Sequence, residues 1–486
     1  MTWLTDHFPI LLFLGLYTAL MAHHAWSGKR QTQGVDDFYV GGRSMGGLAL
    51  GLSFFATYSS TNSFVGFSGR GYSYGLPWLL LTPFLVFFCL MAWIFVAPRL
   101  RYFAASLDSL TIPDLFGFRY DSNGARLAAA LLVILSSLFY MAAIFKGIGH
   151  TLEAFLDIPY WIAILIVFVV VVAYTALGGF ISIVKTDIVQ GIMLIFSAIF
   201  LFAGTVRASG GIQSFFDVQH LPGGENLFSW NAGLPFPVLL GVLFAGTVKF
   251  MVEPRQLSRF YALKDKKAVR TGMWVSTVAF AFVFSLLVPI GIYARNIFPT
   301  GITDTDRIIP MLLIDSAIFH PFISAFLMVT LVAAAMSSLD SVLLVVASTC
   351  QHDILELCIK TSISEKKTIR NTGWYVALFA LLTTLIALDP PGDIVLLTAF
   401  SGSLYAACFF PGLILGLYWR KGNGKALLTS FSLGLLCLLS WKYFSIWPSI
   451  HEVFPSLLIS TLSYVLISLI TPQINDPKIK QLFDAH

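Results

Sequence analysis

The sequence predicts an all-α integral membrane protein with about thirteen transmembrane helices. Of its 486 residues, 57% are hydrophobic and only 11% are charged, and mean hydropathy is +0.81. Soluble domains carry roughly 25% charged residues, so this composition excludes a water-soluble fold. The apolar residues also fall into runs near the roughly 20 residues that a helix needs to cross a bilayer.

Thirteen such runs lie between loops that hold charged residues, proline or glycine. We number these predicted spans one to thirteen: residues 8–25, 46–69, 76–97, 126–149, 159–177, 181–205, 236–261, 272–296, 318–348, 373–390, 394–418, 425–446 and 454–471. The first run has Asp6 and no basic residue before it, so we interpret it as a retained span rather than a signal peptide.

Basic residues alternate between the two sides of the predicted membrane. The loops after odd-numbered spans, the span ends beside them and the C-terminus hold 23 of the 30 lysines and arginines. Cytoplasmic loops carry such an excess, so we predict a multi-pass cell-membrane protein with the N-terminus outside and the C-terminus cytoplasmic. The net charge of +5 therefore reflects topology, and we expect no nucleic-acid partner.

Two predicted spans contain residues that interrupt a helix. Span two carries the polar run Thr57 to Ser63, in which serine, threonine and asparagine side chains compete for backbone hydrogen bonds. Span seven carries Gly246 to Pro254, where proline removes a backbone donor and Glu253 places a carboxyl near the membrane. Broken helices supply carbonyls and amides to transporter binding sites. Close helix packing by small residues is the alternative interpretation of the polar run.

The two interrupted spans lie five apart, as expected if spans two to six and seven to eleven are inverted five-helix repeats. The predicted segments are 1–45, the first helix and a cytoplasmic loop; 46–205, the first repeat; 206–235, an extracellular loop; 236–418, the second repeat; and 419–486, two C-terminal helices and a short tail.

Span nine places hard oxygen donors inside a long apolar run. Ser337 and Ser338 offer neutral hydroxyls that suit a dehydrated sodium ion, although a serine pair in a membrane helix is more often a packing feature. Asp340 lies two positions beyond Ser338, roughly 200° around a helix, so we expect it to have a different partner.

Several motifs, in order, resemble the sodium:solute symporter family over about residues 36–425. They are Phe38 to Gly47, Ala56 to Gly69, Tyr174 to Gly179 followed by Thr186, Asp187 and Gln190, Pro254 with Arg259, Phe260, Lys264 and Asp265, Ala334 to Ser338, and Gly416 to Trp419. The resemblance implies a LeuT-like fold with an inverted five-helix repeat, and sodium as the transported, coupling ion.

The resemblance also implies site residues. Sodium is expected between spans two and nine, bound by the backbone carbonyls of Ala56, Ser59 and Ala334 and the hydroxyls of Ser337 and Ser338. Asp187 resembles an acid on the ion exit path of the family; its alternative role is an interfacial partner for Lys185.

Within the family, the motifs look most like those of sodium/pantothenate symporters. Those proteins often have uncharged residues where this chain has Lys249 to Arg255, which leaves the substrate open. Lys249 and Glu253, spaced i and i+4, would pair with each other, or one of them would meet a charged substrate.

The expected function is sodium-coupled import of a small organic solute by alternating access, with a pantothenate-like or other monocarboxylate favoured. Alternatives are a symporter for proline or another neutral solute, a proton-coupled carrier and a transporter-like sensor. Expected substrate contacts are Tyr58, Ser60, Thr61, Phe250 and Glu253. Besides solute, sodium and the lipid bilayer, we expect no obligatory protein partner.

Other classes fit the sequence less well. A channel needs a continuous polar stripe, whereas the polar residues here cluster near mid-membrane. The nine histidines and five cysteines show no metal-ligand spacing, and no acid and base converge within a span. We therefore expect no enzymatic activity.

Overall fold

The computed structural model describes residues 7–231, 233–299, 302–359 and 364–484. In these residues the regular elements are helices, and Met45 and Leu263 form an isolated parallel bridge. Residues 1–6 and 485–486 of the predicted terminal segments lie outside the described residues.

Eleven helices in the described part of the chain are long and apolar enough to cross a membrane. They are Phe8–Gln31, Leu76–Ser106, Asn123–Leu156, Gly178–Ala208, Phe236–Tyr261, Lys266–Ile297, Pro321–Ile359, Glu365–Leu388, Ile394–Tyr418, Gly424–Phe444 and Val453–Ile470. Two shorter apolar helices, Gly47–Tyr58 and Tyr160–Ala173, lie in predicted spans two and five. Helices therefore occupy every predicted position, while the number thirteen stays a prediction.

Short helices connect or extend the long ones. They are Val35–Val40, Phe67–Tyr74, Ile112–Arg119, Ser214–Asp217, Ile308–Ile314, Glu356–Ile359 and Pro477–Asp484, with π-helical turns at Asn62–Gly66, Ala92–Val96, Thr349–Leu355 and Pro411–Leu415. Three of these π-helical turns lie within predicted spans two, three and eleven, and Thr349–Leu355 extends span nine.

Polar side chains fix where several membrane helices begin. Ser122, Asp265, Asp393 and Asn423 each accept a hydrogen bond from a backbone amide in the first turn of the helix that follows. Such caps satisfy amides that have no partner within the helix. The starts of spans four, eight, eleven and twelve are therefore encoded locally.

Spans five and six form one long helical segment, Tyr160–Ala208, that turns at Gly179. The φ and ψ angles of Gly179 are +62° and −171°, a conformation open essentially only to glycine. A Cβ atom at this position would also lie 2.6 Å from the ring of Phe38. This glycine lets the two spans follow each other without a loop.

The predicted interruptions of spans two and seven are confirmed. In span two, the helix Gly47–Tyr58 ends before Ser59 and Ser60, and helical structure resumes at Thr61. In span seven, Glu253 has extended φ and ψ angles between the helices Lys249–Val252 and Pro254–Tyr261. Backbone groups at both breaks are released from the helical ladder.

Small residues let span two pack closely against span eight. A Cβ atom on Gly291 would lie 1.8 Å from the carbonyl oxygen of Ser68, and one on Gly51 would lie 2.8 Å from that of Gly272. Glycine at membrane helix interfaces permits such close backbone approach. The broken span is thus held closely against span eight.

We expect Gly291→Ala to destabilise the protein by about 1–3 kcal/mol or more, because the added methyl group meets backbone atoms that cannot turn aside. Thermal unfolding of the purified protein in detergent measures this. Gly15→Ala is the matched control, since no atom of the described residues lies within 4 Å of its Cβ position, and alanine favours a helix. Equal melting temperatures for the two variants would contradict the close packing of span eight against span two.

Candidate functional site

The broken end of span two meets span nine through hydroxyl and carbonyl oxygens. The Ser337 hydroxyl lies within hydrogen-bond distance of the carbonyls of Ala56, at 3.1 Å, and Ala334, at 2.9 Å. The Ser338 hydroxyl donates to the carbonyl of Thr57 over 2.9 Å. All five residues are buried. Hard, uncharged oxygens therefore converge where the sequence predicts a sodium site.

The predicted ligand Ser59 directly follows the end of the span-two helix. Its amide donates to Phe55, and its buried hydroxyl has no hydrogen-bond partner among the described residues. The carbonyl of Thr57 was not among the ligands predicted from the sequence. The signal for it was the predicted break itself, since the last carbonyls of any helix lack intrahelical donors.

A buried ion pair lies beside these oxygens. Arg259 on span seven donates to Asp187 on span six over 2.8 Å, and the two side chains are 1% and 0% exposed. Two hydroxyls of span two also donate to Asp187, Ser53 over 2.5 Å and Thr57 over 3.2 Å. Arg259 further donates to Ser341 on span nine over 2.7 Å. The pair joins four spans in one network.

This network provides a partner for each of two residues that the sequence left open. Asp187 pairs with Arg259 rather than with Lys185, whose ammonium instead donates to Ser27 and Gln31. Asp340 is buried, and Ser341 donates to its carboxyl over 3.3 Å. Asp340 therefore lies next to the Arg259 network.

The break in span seven carries a second ion pair. Arg255 binds Glu253 over 2.8 Å and donates to the carbonyl of Thr57 over 2.5 Å. Glu253 thus pairs with Arg255 instead of the Lys249 suggested by the i and i+4 spacing. The guanidinium of Arg255 joins the two helix breaks, because it contacts both.

A narrow cavity lies between the two broken spans. Its lining includes Tyr58, Ser60, Asn62, Phe67, Trp78, Leu81, Tyr140, Val242, Gly246, Lys249, Arg255, Val395, Thr398 and Ala399. Two of the five expected substrate contacts, Tyr58 and Ser60, belong to this lining. The Tyr58 hydroxyl donates across the cavity to the Gly246 carbonyl over 3.0 Å.

The other three expected substrate contacts lie outside that lining. The Thr61 side chain packs against Gly147. Phe250 lies behind Tyr58, with 4.5 Å between the ring centroids, and Glu253 points to Arg255. The sequence placed all three near the site without indicating which way they face.

Ion pairs cluster at both ends of the helix core. At the predicted extracellular end, Arg70 pairs with Asp393, and Lys146 lies 3.2 Å from Asp306. Burial raises the pKa of the Asp306 carboxyl, and the adjacent Lys146 opposes that rise.

At the opposite end, Arg126 contacts both Asp114 and Asp353 over 2.8 Å, and His352 lies 3.3 Å from Asp114. The carboxyls of Asp114 and Asp353 and the imidazole of His352 have ligand atoms close enough to hold a metal ion. Arg126 already supplies positive charge at this position, so the group is a salt-bridge cluster.

The sequence is similar to those of known membrane transporters. The model of the sodium:solute symporter family matches residues 38–434. The sodium/pantothenate symporter of Haemophilus influenzae is 29% identical over 94% of this chain and 95% of its own length. The osmoregulated proline transporter OpuE of Bacillus subtilis is 27% identical over 95% of each chain.

The fold has a solved counterpart. The substrate-bound, outward-open structure of a Na⁺-coupled sialic acid symporter superposes with a TM-score of 0.81 at 20% identity, covering 96% of this chain and 98% of that one. The predicted LeuT-like helical fold is thereby confirmed.

The family match confirms the expected multi-pass membrane transporter, the sodium coupling and the absence of an enzyme function. It also confirms a small solute and sodium as the transported partners. The chain belongs to the sodium:solute symporter family.

Proposed function

We propose that this protein imports a small monocarboxylate, pantothenate-like in character, together with sodium by alternating access. The observation that carries the proposal is the convergence of span-nine hydroxyls on the carbonyls at the broken end of span two. A symporter for proline or another neutral solute is the second candidate, favoured by the similarity to OpuE.

In this proposal, sodium binds where the two spans meet. Its ligands are the carbonyls of Ala56, Ser59 and Ala334 and the hydroxyls of Ser337 and Ser338, with the Thr57 carbonyl adjacent. The ion takes over oxygens that otherwise bond each other, so binding ties span two to span nine. Sodium thereby stabilises one arrangement of the broken helix, as a coupling ion must.

Substrate is proposed to bind in the cavity between the two breaks. Tyr58 and Ser60 contact it directly, Thr61 shapes span two from behind, and Phe250 and Glu253 hold Tyr58 and Arg255 in place. Unwound backbone at a helix break presents amides to a carboxylate. Asp187, in its network with Arg259, lies on the proposed exit path of the ion.

The proposed topology has the N-terminus outside and inverted repeats at residues 46–205 and 236–418. The two helix breaks then face each other across the membrane midplane. For a neutral solute, one sodium per cycle would permit roughly fiftyfold accumulation for each 100 mV of inward-negative potential.

Uptake into proteoliposomes tests the function directly. With an imposed inward sodium gradient, we expect accumulation of labelled pantothenate or a short monocarboxylate, and no accumulation when potassium replaces sodium. Labelled proline is the comparison solute. Accumulation of proline alone would favour the second candidate, and sodium-independent accumulation would contradict sodium coupling in this chain.

The sodium site is tested by the double change Ser337→Ala, Ser338→Ala. Loss of two hydroxyl ligands should raise the sodium concentration for half-maximal uptake about tenfold or more. Thr330→Ala on the same helix is the control, because within the described part of the chain its hydroxyl bonds only the Phe326 carbonyl of its own helix. Sodium activation that is unchanged in the double variant would rule out this site.

The Asp187 network is tested by a double-mutant cycle. Asp187→Asn and Arg259→Gln should each cost roughly 3–5 kcal/mol of unfolding free energy, since each leaves a buried charge without its partner. The double variant should lose less than the sum of the two. Unfolding in detergent measures all three, and strictly additive losses would contradict the coupling.

The control for this cycle is the exposed pair of Arg420 and Asp484, whose side chains are 45% and 69% exposed. Asp484→Asn should change stability by less than about 1 kcal/mol, because water screens such pairs.

A further inference from the structure

Lys249 places a buried cation at the cavity wall. Its side chain is 2% exposed, and its ammonium lies 4.7 Å from the centroid of the Tyr140 ring. Among the ion pairs of the described residues, none gives this ammonium a carboxylate within 4.0 Å. Contact with an aromatic face replaces only part of the hydration that a buried ammonium loses.

Three buried acids of the core contact groups other than Lys249. Glu253 binds Arg255, and Asp187 binds Arg259. Asp340 accepts a hydrogen bond from Ser341, which itself accepts one from Arg259. The positive charge of Lys249 is therefore not balanced by a contact with any of these carboxylates.

The charged side chains of the cavity lining are both cationic. Lys249 and Arg255 belong to it, whereas Glu253 does not. Ser60 and Asn62 also line it, and the Oδ1 atom of Asn62 has no hydrogen-bond partner among the described residues. The Ser60 hydroxyl oxygen accepts a hydrogen bond from the backbone amide of Asn62. The hydroxyl hydrogen of Ser60 therefore remains free to donate to an oxygen of the solute.

Space for the lysine is provided by a glycine on span eleven. A Cβ atom at Gly402 would lie 2.8 Å from the Cε atom of Lys249. The side chain thus runs through a gap left by Gly402 and reaches the cavity. Its position is set by packing, as a binding residue requires.

We propose that Lys249 is the specificity-determining residue of the substrate site, and that its ammonium binds the carboxylate of a monoanionic solute. This rests on the proposed function and assigns the charge of its substrate. A carboxylate supplies the missing countercharge. A zwitterion binds less well, because its own ammonium would lie near the two cations Lys249 and Arg255, and the neighbouring carboxylate of Glu253 is already paired with Arg255.

Ligand binding to the purified full-length protein tests the charge requirement. Thermal shift titrations compare pantothenate and lactate with the neutral analogues pantothenol and lactamide, and with zwitterionic proline, in sodium chloride. We expect each carboxylate to bind at least tenfold more tightly than its neutral analogue and more tightly than proline. Equal shifts within each pair, or no shift with any compound, would overturn the inference.

Variants test the residue. Lys249→Met should lose about tenfold to a hundredfold in affinity for the carboxylate that binds wild type, and Lys249→Arg should retain more of it. Lys442→Met is the control, because that lysine is half exposed on span twelve. Unchanged carboxylate affinity in Lys249→Met would overturn the assignment, and Lys249→Arg keeps the test valid if the methionine variant misfolds.

The sodium requirement is scored separately by repeating the titrations in potassium chloride. Carboxylate selectivity that depends on Lys249 but not on sodium would contradict the proposed symport and leave the lysine assignment standing. Sodium-dependent binding without charge selectivity would overturn the lysine assignment and leave the proposed symport standing.

Discussion

The ion pair of Asp187 and Arg259 is the interaction on which the rest of the core depends. Removing two charges from water costs several kcal/mol each, and hydrogen bonds with Ser53, Thr57 and Ser341 offset part of that cost. These groups come from four spans. Thr57 belongs both to this network and, through its carbonyl, to the contact with Ser338. The ion pair thus positions the end of the broken helix.

The breaks in spans two and seven are connected by a side chain. Arg255 leaves the span-seven break and donates to Thr57 at the end of the span-two helix. The carbonyls released by one break are met by hydroxyls of a continuous helix and by a guanidinium from the other break. None of these contacts is part of a helical ladder, so the proposed ion and solute would replace them without breaking a helix.

Hydropathy and local chemistry predicted much of this fold. Apolar runs located the membrane helices, and the serine-rich run and Pro254 located both breaks. The partner of Glu253 stayed open for a physical reason: the i and i+4 rule, which suggests Lys249, assumes a continuous helix. Pro254 ends that helix, and the extended backbone at Glu253 turns its carboxyl toward Arg255 instead of Lys249.

Contacts between distant residues were beyond such reasoning. Asp187 and Arg259 are 72 positions apart, and nothing local to either residue indicates the other. The same holds for the packing of Thr61 against Gly147 and for the gap at Gly402. Periodicity shows which face of a helix is apolar, but the partner of a buried charge follows only from how the helices pack.

The charge of the solute also decides what drives the cycle. A neutral solute carried with one sodium moves one positive charge, so the membrane potential contributes about 2.3 kcal/mol for each 100 mV. A monoanion carried with one sodium moves no net charge, and only the sodium concentration gradient then drives uptake. If Lys249 selects an anion, use of the potential requires a second cotransported cation. The substrate charge and the sodium stoichiometry are thus one question in this protein.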